Sequence, residues 1–130
     1  MALPKQSRWL FGKLAKAVEI LITDPRDARD RMRSASDYLM MLHPDGVPER
    51  CRPDVLWIQH MLTRYPADRY SRSALEATYR RTRNVTASKI AVRVWKLYHE
   101  YESAFNAEQQ GLGQVRRTTN SSSARARKVS

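Results

Sequence analysis

Four glycines and six prolines are all that punctuate this 130-residue chain, and no proline follows Pro66. So few breakers suit helices with short connections better than a sheet-rich fold with many turns, and no alternating strand pattern stands out. The single cysteine, Cys51, excludes an intrachain disulfide and a cysteine-based zinc cage, which needs at least two thiolates. Three histidines, His43, His60 and His99, lie far apart, and only His99 with Glu102 has a helical ligand spacing, so no metal or cofactor is expected. A Walker loop, a dinucleotide fingerprint, a nucleophile elbow around Cys51 and a pair of acids in an apolar setting are all missing, so an enzyme is not expected. No apolar run approaches the roughly 18 to 20 residues of a membrane span, and no secretory pattern is present, which gives a soluble, cytoplasmic protein as the expectation.

Acid is scarce as well. Lysine and arginine number 24 against 13 aspartates and glutamates, for a net charge of +11 and a pI near 10.4. Such a balance attracts polyanions: nucleic acid, anionic lipid or an acidic protein surface. Eighteen of the cations are arginines, whose planar fork suits two-point contacts to phosphates and carboxylates.

What is there reads as an all-α protein, a compact bundle of about five helices over residues 1–110 followed by a disordered basic tail over 111–130. A first helix spans Arg8 to Thr23 on the stripe Leu10, Leu14, Val18 and Leu21, widened by Phe11, Ala17 and Ile22. Asp24-Pro25 has the form of an N-cap and first helical position, and a second helix runs to about Leu42 on Ala28, Met32, Ala35, Leu39 and Leu42. Its other face sets Arg26/Asp30, Asp27/Arg31 and Arg33/Asp37 four residues apart. His43 to Pro48 cannot be helical; Pro48 to Cys51 has room for one turn. A third helix runs from Pro53 to about Tyr65 and is stopped by Pro66.

Ser73-Ala-Leu-Glu76 is a capping box, predicting a short fourth helix from Ala74 to about Arg81. Asn84 or Thr86 caps a fifth helix that extends to about Gln109. Its apolar stripe, Ala87, Ile90, Ala91, Val94, Leu97, Tyr98, Tyr101 and Phe105, is the clearest in the chain. Beyond Gln110 the composition turns to serine, glycine and five cations, too polar to offset the entropy of ordering.

The portion from about Tyr38 to Tyr101 carries Val47-Pro48-Glu49-Arg50, Trp57-Ile58-Gln59-His60-Met61-Leu62-Thr63 and Arg83-Asn84-Val85-Thr86-Ala87-Ser88-Lys89-Ile90-Ala91. It resembles small uncharacterised all-helical bacterial proteins. The resemblance implies a small helical unit and a bacterial source, and no activity or functional residue.

Function is sought where charge is densest. Residues 69–96 hold six arginines and two lysines against one glutamate, most of the chain's net charge. Two modes of nucleic-acid binding are open. In one, the fourth helix, the turn at 82–85 and the fifth helix form a helix-turn-helix whose second helix presents Thr86, Ser88, Lys89 and Arg93 to the major groove, and Lys96 on the same helix is counted among the nucleic-acid-binding cations. In the other, Arg69, Arg72, Arg80, Arg81 and Arg83, with Arg116 and Arg117 of the tail, hold phosphates without reading sequence. The alternative is a helical adaptor that binds an acidic protein surface or self-associates, with Trp57, Trp95 and Tyr98 as interface residues. Burial of the tryptophans in the core is the competing reading of those rings.

Overall fold

The computed structural model describes residues 5–118, with side-chain environments to residue 108. Five α-helices and one 3₁₀ turn account for the described residues: α1 (Ser7–Thr23), α2 (Ala28–Met40), the turn Glu49–Cys51, α3 (Arg52–Leu62), α4 (Ala74–Arg81) and α5 (Asn84–Thr118). The all-helical bundle expected from the sequence is the fold observed. Helix α2 is its hub, packing on α1, α3, α4 and α5, while α5 also lies against α1, α3 and the 3₁₀ turn.

Helices α1, α2 and α5 bury the apolar stripes that their spacing foretold. Leu10, Leu14, Ala17 and Val18 of α1, Met32, Ala35 and Leu39 of α2, and Val55, Ile58 and Leu62 of α3 meet Ala87, Ile90, Val94, Leu97 and Tyr101 of α5 in one cluster. Burying each large aliphatic side chain stabilises the fold by about 1.5 to 3 kcal/mol before ordering entropy is counted. Not every expected member reaches the cluster's centre: Phe11, Leu21, Ala28, Ala91, Tyr98 and Phe105 are half-buried and Ile22 is exposed. At the start of α1, Ser7 and Tyr101 are both buried and satisfy each other. The Tyr101 hydroxyl donates to the Ser7 carbonyl at 2.5 Å and accepts from Ser7 Oγ at 3.1 Å.

Helix ends show where local rules were outvoted. Helix α2 starts at Ala28, not at Pro25. Its N-cap is Asp27, whose carboxylate accepts from the Asp30 amide at 3.0 Å, while Asp24 is held by the Arg26 amide and guanidinium instead. Of the three four-apart pairs, Arg33–Asp37 forms at 3.6 Å. Asp30 instead accepts from the Tyr79 hydroxyl at 2.6 Å, and the Arg31 guanidinium donates to the Arg26 carbonyl.

Asn84 does not cap its own helix through its side chain. Its Oδ1 accepts from the Arg29 amide at 3.0 Å, so the turn into α5 caps α2. At the far end α5 continues to Thr118, past the end expected near Gln109, and the boundary at residue 110 therefore falls within a helix. Each added residue gains a backbone hydrogen bond, two isolated glycines cost only about 1 kcal/mol apiece, and no proline follows to stop the helix. The remainder of the expected tail, 119–130, lies outside the described residues.

Candidate functional site

Loop 63–73 and α4 build the most distinctive surface. After α3 ends, the Tyr65 amide donates to the buried Thr78 Oγ1 at 3.1 Å, tying the loop to α4. Asp68 and Ser71 then exchange backbone hydrogen bonds at 3.2 Å each, closing a tight turn. The Asp68 carboxylate accepts from the Tyr70 amide at 2.9 Å, and the buried Ser71 hydroxyl accepts from Arg80 at 3.1 Å. Helix α4 follows, with Ser73 Oγ accepting from the Glu76 amide and the Glu76 carboxylate accepting from the Arg72 amide, both at 3.1 Å. This is the expected capping box, its return half reaching one residue further back than Ser73.

The turn is thus pinned on both sides, and its tip presents Arg69 and Tyr70. Tyr70 is 67% exposed. Its ring lies 5.7 Å from the Arg69 guanidinium and 5.4 Å from that of Arg80. Tyr65 repeats the arrangement, with Arg64 at 5.0 Å and Arg81 at 5.1 Å. Arg81 also stands 3.7 Å from the Asp68 carboxylate, which is therefore engaged on both of its oxygens. Four guanidiniums and two tyrosine rings share the patch with two acids: Asp68, engaged within the turn, and Glu76, which caps the start of α4.

Of the arginines expected to hold phosphates, Arg69 and Arg80 flank the Tyr70 ring, and Arg81 stands at the Asp68 carboxylate of the same turn. Arg72 is exposed beside them at the start of α4. Arg83, Ser88 and Lys89 are exposed on the turn and first part of α5, and Thr86 there is half-buried. Arg116 and Arg117 fall on the backbone of α5, and their side chains lie outside the described environments.

The helix-turn-helix expectation fails on packing. Helix α4 packs on α2 and α3 and has no face against α5, whereas that motif needs its two helices seated on each other. Arg80 and Arg81 stand where such a contact needs apolar side chains, and Asn84 draws the turn onto α2 instead.

Arg93 and Lys96 are also committed elsewhere. Asp54, in the first turn of α3, is only 4% exposed. Arg93 Nε donates to its carboxylate while the guanidinium covers the Trp57 ring at 4.8 Å, and Lys96 Nζ approaches to 3.9 Å. These groups neutralise a buried charge, and Trp57 is half-buried beneath them.

Trp95 occupies different ground. It is 47% exposed, stacks on Tyr98 at 5.9 Å and meets His99 edge-on at 4.4 Å; Tyr98 in turn stacks on Phe11 at 5.2 Å. Beside it, Val18, Leu21, Ile22, Ala91, Val92, Val94 and Trp95 line an open apolar groove of about 260 Å³ between α1 and α5.

The groups with shifted ionisation lie in the core and around the start of α2. Burial pushes the Cys51 thiol and the Tyr101 hydroxyl up to about 12 each. The Arg26 guanidinium beside Asp24 brings that carboxyl down to about 2. The hydrogen bond to Asp30 raises Tyr79. A buried, protonated Cys51 is a packing residue and offers no nucleophile near neutral pH. Among the described residues no three of His, Cys, Asp and Glu gather as a metal site, and no helix is long and apolar enough to cross a membrane.

Arg64, Tyr65 and Tyr70 are site residues that sequence reasoning passed over. Their signal was present as a repeated Arg-Tyr dipeptide, Arg64-Tyr65 and Arg69-Tyr70, on either side of Pro66. Comparison with protein-family models, curated proteins and solved structures finds no match to this chain.

Proposed function

We propose that this protein binds nucleic acid through the arginine-tyrosine patch of loop 63–73 and α4. The observation that carries the reading is the pairing of each of two tyrosine rings with two guanidiniums on one surface. Seven guanidinium– or ammonium–ring contacts occur among the described residues, and four of them fall within residues 64–81. Guanidiniums held over rings are positioned for phosphate oxygens, and their planes and the rings suit bases.

Engagement of the four arginines with phosphates makes binding salt-dependent in a calculable way. With about four counterions released, affinity for a single strand falls as roughly the 2.8 power of salt, or about 50-fold between 50 and 200 mM. The test is fluorescence anisotropy with a labelled oligonucleotide over that range, on the full chain and on Arg69→Gln/Arg80→Gln. The double variant is expected to bind more weakly with a salt slope lower by about 1.4. Absence of binding at 50 mM salt, or a slope unmoved by the double change, refutes the reading.

A second reading is supported by a different surface. Trp95, Val92 and Ile22 expose apolar area around the α1–α5 groove, as a helical adaptor or self-associating module would. It predicts a complex or oligomer weakened by Trp95→Ala. A sedimentation profile that stays monomeric across a hundredfold range of concentration counts against self-association.

A further inference from the structure

We infer that the ligand of this patch is single-stranded nucleic acid, with an unpaired base stacked on the Tyr70 ring. The inference rests on the nucleic-acid reading above and narrows it to strands whose bases are accessible. Three features point this way.

The first is the presentation of the ring. Tyr70 is at the tip of a four-residue turn closed by reciprocal Asp68 and Ser71 backbone bonds, braced by Asp68 on the Tyr70 amide and by Arg80 on Ser71. The ring stays 67% exposed on that pinned backbone, and the entropy of ordering the tip has already been lost on folding.

The second is what covers the ring. Arg69 and Arg80 lie at 5.7 and 5.4 Å, and exposed cation–π contacts are worth about two- to fivefold in an equilibrium. A base stacked on an aromatic ring is worth about fivefold to a hundredfold or more by alanine substitution. A base therefore displaces a guanidinium from the ring, and the displaced guanidinium becomes available to the strand's own phosphate. The same residues serve ring and backbone in turn.

The third is the lack of a reading element for a duplex among the described residues. Helix α4 is eight residues long and seated on α2 and α3, the start of α5 is tied to α2 through Asn84, and Arg93 is bound to Asp54. A duplex keeps its base faces stacked inside and offers this patch phosphates but no ring to stack on Tyr70.

The test measures anisotropy of labelled 12-nucleotide oligo(dT) and oligo(U) and of a 12-base-pair duplex, at 50 and 200 mM salt, on the full chain, Tyr70→Ala and Tyr70→Phe. Circular dichroism confirms that each exposed-site variant is folded. The expected result is preference for the single strands, a loss of about fivefold or more in single-strand affinity for Tyr70→Ala with an unchanged salt slope, and near-parental binding for Tyr70→Phe. Equal or tighter binding of the duplex, or Tyr70→Ala within twofold of the parent on single strands, overturns the stacking inference and leaves the phosphate reading standing. Failure of every oligonucleotide to bind at 50 mM salt overturns both.

Discussion

Replacing Arg93 by methionine asks whether a cation counted in the chain's basic charge belongs to the fold or to a partner. Methionine keeps most of the stem over Trp57 and removes the guanidinium that pairs with Asp54. Losing one member of a fully buried ion pair costs about 3 to 5 kcal/mol, since the other charge is stranded. Two features reduce that figure here. Arg93 is itself 32% exposed, and Lys96 remains 3.9 Å from the same carboxylate. The net expectation is a loss of about 2 kcal/mol, or a melting temperature lower by roughly 10 °C for a domain of this size. Urea unfolding followed by circular dichroism at neutral pH measures it. Repeating Arg93→Met in an Asp54→Asn background isolates the coupling, and the cost there should shrink by more than about 1 kcal/mol because no charge is left unpaired. A parent-like urea midpoint for Arg93→Met, or a cost indifferent to Asp54→Asn, refutes the assignment and returns Arg93 to the pool of ligand-binding cations.

Three further outcomes follow from the fold. Asn84→Ala removes the side chain that caps α2 from across the bundle, and should lower stability by about 1 kcal/mol in urea unfolding. Gly46→Ala places a methyl 2.7 Å from Leu10 Cδ1 in the packed interior, with no left-handed backbone angle involved, and should cost about 1 to 3 kcal/mol by forcing that leucine to move. Cys51 and Tyr101 hold their protons to about 12 in the fold but have ordinary values of 9.0 and 10.0, so the unfolded chain releases protons first as pH rises. Stability from these two groups is fully present below about pH 9 and is lost on the way to pH 12, and a thermal melting series over that window should show the decline.

The sequence made the packed faces legible, because periodicity is a local property that the core obeys. The α5 stripe from Ala87 to Tyr101 and the α4 capping box at Ser73 were read from spacing alone. Failures came where a side chain was recruited by something distant in sequence. Asn84 has the form of a cap for the helix it begins, and only the approach of α2 shows that its oxygen serves Arg29. Asp24 and Asp27 are both competent N-caps. The choice fell to Asp27 once Asp24 was held by Arg26, a competition between two short-range bonds of similar strength.

Charge was the least legible quantity. Counting cations treats Arg93 as equal to Arg69, yet one neutralises a carboxylate from 39 positions away and the other stands at an exposed turn tip. A net charge of +11 favours polyanions in general and says nothing about where one would land. Aromatic residues misled in the opposite sense, since composition assigns tyrosine and tryptophan to the core by default. Trp57 half follows that rule beneath Arg93, whereas Tyr70 and Trp95 do not. These two exposed rings have different neighbours: Tyr70 sits between guanidiniums, and Trp95 borders an aliphatic groove. If one surface served both roles, Tyr70→Ala and Trp95→Ala would impair the same interaction. The difference in their surroundings argues that they act separately, with Tyr70→Ala reducing affinity for a strand and Trp95→Ala altering association with protein. A loss of strand binding in Trp95→Ala equal to that in Tyr70→Ala would show that one face does both.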